Sequence, residues 1–214
     1  MGLTLPRRLA ETHEVAPSSE SMQRALESLT ASVNRHDTYT AGHSTRVAEI
    51  AGILGNLLRR SGPEVRRLRQ AGLVHDIGKI AIPEKVLTKQ GLLNDEERHL
   101  VQLHPIFGAS ILSRVPGMEE LVTIVLHHHE RWDGDGYPSG LRAHDIPMGA
   151  RIIFVADAFD AMTTERPYGK VRSSEDAVEE IVACAGTQFD PEVVGVMHEA
   201  LALDLLQPPE AVGF

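Results

Sequence analysis

Residues 73–79 read LVHDIGK, and from position 127 the chain runs HHHERWDGDGYP. In the first stretch an apolar helical pattern through Leu68, Ala71 and Leu73 ends on a histidine and a carboxylate, His75 and Asp76. In the second, consecutive histidines precede a Gly-Tyr-Pro turn. Adjacent buried His and Asp are costly unless something cationic satisfies them. Neutral imidazole and carboxylate are natural transition-metal ligands, so a metal centre at the ends of helices is the simplest account of both stretches.

The flanking sequence is helical throughout. Met22, Leu26, Leu29 and Val33 form one stripe over 19–36, and Val47, Ile50, Ile53 (or Leu54) and Leu57 another over 40–60. Ser61-Gly62-Pro63 stops that helix, and Pro63 opens the next, which runs to about Asp76. Residues 77–93 read as a long ordered loop with room for one helical turn. Asn94 with Glu97 resembles a capping box that starts a helix ending near Leu103. His104-Pro105 is a junction, because the residue before proline avoids the helical region. Further helices are predicted over 106–114, 118–129 and 149–164, the last with Ile152, Ile153, Ala156 and Phe159 inward. Two more start at Ser173 or Ser174 and at Asp190-Pro191. No segment alternates like a strand. The expectation is an all-α domain of seven to nine helices.

Composition agrees. Of 214 residues 42% are hydrophobic but only 4% aromatic, so the core must be aliphatic, which favours packed helices. The length fits one compact domain, with or without an extra segment. A net charge of −9 disfavours duplex DNA as a partner. It does not exclude a small anion, since two divalent metals would reverse the sign locally. Cys184, the single cysteine, reads as a small buried hydrophobe. No apolar run reaches the roughly 20 residues of a membrane span. The first residues lack a signal-peptide core, and Pro6 breaks the myristoylation pattern. A soluble cytoplasmic protein without a membrane partner is expected.

The eleven histidines are not equivalent. His13, His99, His144 and His198 read as solvated, and His36 as an unlikely ligand. His43, His75, His104, His128 and His129 lie at helix ends or faces beside small or apolar residues. With Asp76 and Asp157 they make a candidate ligand set. Asp157 sits in the apolar helix IIFVADAFDAM, where an unpaired carboxylate would be expensive. Residues 128 and 129 point about 100° apart in a helix, so both reach one metal only where the helix ends. His127 points elsewhere and reads as a packing or supporting residue.

The motifs LVHDIGKIAIP (73–83), HHHERWDGDGYP (127–138) and RIIFVADAFDAMTTERPY (151–168) together resemble the HD-GYP family of metal-dependent phosphohydrolases. The resemblance covers about residues 35–205, leaving 1–34 as a leader and first helix and 206–214 as a tail. It implies a helical bundle round a five-helix core. It implies hydrolysis of cyclic di-GMP to the linear dinucleotide pGpG and often on to GMP. By motif, His43, His75 and Asp157 would hold one metal and His104, His128 and His129 the other, with Asp76 bridging. Iron is the expected metal, with manganese or another divalent ion as the alternative. Such a pair lowers the pKa of a shared water, and the resulting hydroxide attacks phosphorus.

Lys79, Arg166, Lys170 and Tyr137 are the expected substrate contacts, with Lys79 at the scissile phosphate. Asp160 is expected to orient a ligand histidine or Arg166, and Glu130 to support the ligands from behind. Gly136, Tyr137 and Pro138 form a loop linked in the family to contacts with diguanylate cyclase domains. Two departures stand out. Tyr39 occupies the position of a glutamate that supports a third metal in some members, so two metals and a slower second hydrolysis are expected. Gly169 replaces a basic residue after RPY, which Lys170 would have to supply. Two other readings stay open: an HD phosphohydrolase for another nucleotide or cyclic dinucleotide, and a non-catalytic sensor or docking module. The first helix could serve as a dimer arm, though packing within the chain is favoured.

Overall fold

The computed structural model describes residues 24–26, 28–29, 31, 42–164 and 171–206. Among these there is no strand, only an isolated bridge between Ala185 and Phe189. Nine α-helices follow in order: α1 (His43–Leu57), α2 (Gly62–Val74), α3 (Glu84–Leu87), α4 (Asp95–Val101), α5 (His104–Leu112), α6 (Glu119–His127), α7 (Met148–Thr163), α8 (Ser174–Ala183) and α9 (Pro191–Ala202). Two 3-10 turns, Ile77–Ala81 and Ala143–Asp145, complete the set. The all-helical expectation holds. Of the predicted 19–36 helix, residues 24–26, 28–29 and 31 are helical, with Leu26 fully buried and Leu29 against the core. Met22 and Val33 lie outside the described residues.

Local chemistry accounts for most helix ends. Ser61 and Glu64 form a capping box on α2, and Asn94 and Glu97 another on α4. Ser173 caps α8, and Asp190 caps α9 ahead of Pro191. Several boundaries differ from the sequence reading, two of them beside candidate ligand residues. Helix α1 stops at Leu57 because Arg59 takes a left-handed φ of 54°. Helix α2 ends at Val74, two residues early, and His75 and Asp76 lead into a 3-10 turn within the stretch read as an ordered loop with room for one helical turn. Helix α5 begins at His104, not Ile106: Pro105 occupies its first turn, where no amide proton is needed.

Helix α1 packs along α2 and α7, α5 along α6 and the first 3-10 turn, and α8 and α9 close the far side against α7 and α1. The core is aliphatic, with Val47, Leu54, Leu112, Ile152, Ile153 and Ile181 fully buried. Cys184, expected to be buried, is only partly so: it is the C-cap of α8, next to the turn that follows, and packs on the edge of the core. Gly72 lets α1 and α2 cross closely; a Cβ there would lie 2.6 Å from Ala48 Cα. This crossing sets the start of α1 beside the end of α2.

Candidate metal centre

Helix ends converge on one point. His43 opens α1, His75 closes α2, Asp76 leads into the 3-10 turn, His104 opens α5, and His128 closes α6 with His129 next. Asp157 projects from within α7. His43, His75, Asp76, His104 and His128 are buried, and His129 and Asp157 partly so. The imidazoles form one continuous cluster, with ring centroids 5.2 Å apart for His43–His75, 5.3 Å for His75–His128 and 5.2 Å for His104–His128. Donor atoms of His43, His75 and Asp157 lie within 4.8 Å of one another, and so do those of His104, His128 and His129.

Hydrogen bonds fix the direction of each ring. His75 Nδ1 donates to Gly72 O at 2.8 Å, His104 Nδ1 to Val101 O at 2.8 Å, and His128 Nδ1 to Val125 O at 2.7 Å. Each bond puts the ring proton on Nδ1 and turns the Nε2 lone pair toward the others. His104 Nε2 and His128 Nε2 then stand 3.2 Å apart. Two lone pairs at that distance repel unless a cation lies between them. His75 Nε2 is buried without a hydrogen-bond partner. Asp76 faces both groups: Oδ1 is 3.3 Å from His104 Nε2, and Oδ2 is 3.4 Å from His75 Nε2 and 2.7 Å from Lys79 Nζ. Unprotonated imidazoles, an orphaned Nε2 and a shared carboxylate fit divalent cations.

The two groups differ in charge without metal. Burial would lower the pKa of His43, but hydrogen bonds to Asp157 and Asp160 outweigh it and lift it to about 9. Burial drives His129 down to about 3 and also lowers His104 and His128. Burial would raise Asp76, but Lys79, then His75 and His104, hold it well below the usual carboxylate range. For His43 the folded pKa exceeds the unfolded one, so its stabilisation is complete below about 6.5 and is lost as pH climbs through about 9. For His104, His128 and His129 the sign reverses, and stability falls as pH drops below about 6.5. Metal-free protein should therefore melt highest near neutral pH. Melting in a chelator from pH 5 to 10 checks this, and His43→Gln should flatten the alkaline side only.

Supporting residues fix this geometry. Asp160 Oδ2 accepts from His43 Nδ1 at 2.7 Å, while Arg46 Nε and Nη2 both bind the same carboxylate. Arg46 escaped the sequence reading; its only signal is its place one turn after His43. Asp160→Asn should lower metal affinity about 10–100-fold by releasing the His43 ring. Chelator competition measures it, and unchanged affinity would refute the role. Glu130 goes elsewhere: its buried carboxylate accepts from Ser139 N at 2.7 Å and Leu141 N at 3.1 Å, and lies 3.5 Å from His127 Nδ1. It anchors the Gly-Tyr-Pro loop.

Gly136 is required there, since a Cβ would meet Arg131 N at 2.2 Å. Tyr137 stacks on His129 at 5.0 Å, and burial, then Asp76 and Asp157, push its pKa up, keeping it a phenol. Pro138 follows a cis peptide bond. Behind the loop, Arg151 binds Asp190 and Ile146 O and sits 5.8 Å from the Trp132 ring centre. The backbone of Trp132 and Asp133 joins Gln188 and Thr187. His99, His144 and His198 are exposed, as expected. Arg166, Lys170, Gly169, Tyr39, His36 and His13 lie outside the described residues.

Such an arrangement defines a helical domain whose clustered side chains can hold metal. A family model described as "HD domain" matches residues 19–193, and the chain belongs to that family. A curated cyclic di-GMP phosphodiesterase of Thermotoga maritima is 41% identical over 160 residues, covering 74% of this chain and 44% of its own length. A 3'3'-cGAMP-specific phosphodiesterase 2 of Vibrio cholerae is 35% identical over 182 residues, 84% of this chain and 35% of its own. The crystal structure of a cyclic GMP-AMP specific phosphodiesterase from V. cholerae superposes with a TM-score of 0.64 at 24% identity, over 83% of this chain and 48% of that one. That last likeness concerns the fold. The chain spans between about a third and a half of the length of the curated relatives it matches. No helix among the described residues is long and apolar enough to cross a membrane.

Proposed function

We propose that this chain is a metal-dependent cyclic dinucleotide phosphodiesterase that opens cyclic di-GMP to linear pGpG, with a slower second cleavage to GMP. One observation carries the reading: two three-residue donor groups stand on either side of a single carboxylate, Asp76, with Nε2 atoms facing one another. His43, His75 and Asp157 would hold one divalent ion and His104, His128 and His129 the other, with Asp76 shared. Iron is favoured, then manganese. When bound, the pair supplies an activated water at neutral pH and withdraws charge from the phosphoryl oxygens.

The protein's own groups do the rest. The carbonyls of Gly72, Val101 and Val125 hold the ring protons of His75, His104 and His128 on the outer nitrogen. Lys79 keeps its ammonium at the partly open edge of the centre, 2.7 Å from Asp76, where an arriving phosphate would meet positive charge. Tyr137, as a neutral phenol, can donate to a substrate oxygen. Arg166 and Lys170 are assigned to the same substrate, and the Gly-Tyr-Pro loop to contact with a diguanylate cyclase domain. A catalytic unit over 35–205, acting in the cytoplasm, belongs to the same proposal.

Relatives with cGAMP-specific names favour one second reading, turnover of a mixed cyclic dinucleotide. Protein purified without oxygen and assayed for bound metal, then given cyclic di-GMP and 3'3'-cGAMP in parallel, separates the two by chromatography of the products. Neither substrate consumed with both metals loaded would overturn the proposal in favour of a sensor or docking module.

A further inference from the structure

We infer that Tyr137 is a positioning residue for one of the two proposed metal positions, holding the His129 ring toward the ion it would share with His104 and His128, a role that rests on the two-metal reading above. The other four candidate imidazoles are fixed by hydrogen bonds at Nδ1: His43 to Asp160, His75 to Gly72 O, His104 to Val101 O and His128 to Val125 O. His129 is the exception. Among the described residues no hydrogen bond reaches its ring, and what meets that ring is aromatic. A metal-ligating histidine is ordinarily aimed by a hydrogen bond on its second nitrogen. Here packing has to aim it. The Phe154 ring stands at 89° to the imidazole with centroids 5.8 Å apart, whereas the Tyr137 ring is inclined only 32° to it at 5.0 Å. A ring lying along the imidazole face in this way opposes its rotation.

The loop is built to keep Tyr137 there. Tyr137 N donates to His129 O at 3.2 Å, so the chain doubles back on the residue it must hold. Gly136 permits the approach, since a Cβ on it would stand 2.6 Å from Glu130 Cα. Beyond the turn, Ser139 N and Leu141 N donate to the Glu130 carboxylate and tie the loop down. The opposite position does not depend on this loop. His43 takes its support from Asp160, which Arg46 binds in turn, and His75 from the last turn of α2. Removing the Tyr137 ring should therefore loosen one ion and spare the other. The hydroxyl assigned to substrate and the face that meets His129 are separate parts of one side chain, and phenylalanine keeps only the face.

Chelator competition on the full chain loaded with manganese(II) tests this. The parent should hold two ions. Tyr137→Ala should weaken one of them about tenfold or more, the scale on which losing a group that orients a metal ligand acts, and leave the other within about threefold. Tyr137→Phe should hold both within about threefold of the parent, because the ring remains. In a His104→Ala background, where the same position is already broken, Tyr137→Ala should change the remaining ion's affinity by less than about threefold. If circular dichroism shows that Tyr137→Ala does not fold, Tyr137→Leu, which keeps apolar bulk without the flat face, carries the same expectation. Parent-like affinity for both ions without the ring, equal weakening of both, or a loss in Tyr137→Phe as large as in Tyr137→Ala would each overturn the inference and leave the two-metal reading standing. A parent that holds fewer than two ions would overturn that reading, and the inference with it.

Discussion

Asp76→Ala is expected to empty both proposed metal positions and to stop the proposed turnover together, by roughly 10⁴-fold or more, the scale on which loss of a central catalytic group acts. Its two oxygens face different donor groups, Oδ1 toward His104 and Oδ2 toward His75 and Lys79. No neighbouring acid can take that place: Asp157 is engaged with His43, and Asp160 with His43 and Arg46. His75→Ala should behave differently, weakening mainly the group shared with His43 and Asp157. Metal per chain by elemental analysis, beside chromatography of cyclic di-GMP, distinguishes the two variants. Two metals retained in Asp76→Ala would sink the shared-carboxylate assignment. A helical circular dichroism spectrum like the parent's separates that outcome from unfolding.

Gly78→Ala should be nearly as damaging through the backbone alone. A Cβ on residue 78 would stand 1.9 Å from His104 O and 2.5 Å from Gly108 N. Both obstacles are main chain of α5, so relief requires moving the helix. That motion carries His104 away from His128 and Asp76. A loss of about 3–5 kcal/mol is expected, within the range of severe core substitutions. It corresponds to a melting point lower by roughly 10–15 °C for a domain of this size. Metal retention by the His104 group should fall in parallel. Gly195→Ala is the control, because nothing lies within 4 Å of the added carbon and α9 is helical there. It should be neutral or slightly stabilising. A Gly78→Ala protein that melts like the parent and keeps both metals would show that the 3-10 turn does not seat α5.

The contrast between those glycines shows what the sequence can and cannot disclose. Asn94 with Glu97, Ser173 and Asp190-Pro191 announce helix starts because capping is settled within four residues. The histidines at 43, 75, 104, 128 and 129 stand out because all five, with Asp76 and Asp157, lie beside small or apolar residues, where unpaired polar groups are costly. Their division into two groups of three was implied by family resemblance; spacing alone did not give it. Contacts between distant residues left no local trace. Arg46 reaches Asp160 across 114 positions, and Arg151 reaches Asp190 across 39. Neither pairing shows in any periodicity. The start of α5 is ambiguous in sequence, because proline disfavours a helical residue before it yet suits a first turn; close packing of His104 against Gly78 accompanies the second outcome. Glu130 likewise accepts from the amides of Ser139 and Leu141, nine and eleven positions away, which no local pattern announces.

The imidazoles and carboxylates of this centre are drawn from α1, α2, α5, α6 and α7, so they tie together segments far apart along the polypeptide. Any ion held there binds the native arrangement and not the open coil, adding stability that grows with the logarithm of its free concentration. Scarcity of that ion would then shorten the protein's survival against proteases as well as silence it. Its abundance in a cell would track the supply of the element it carries.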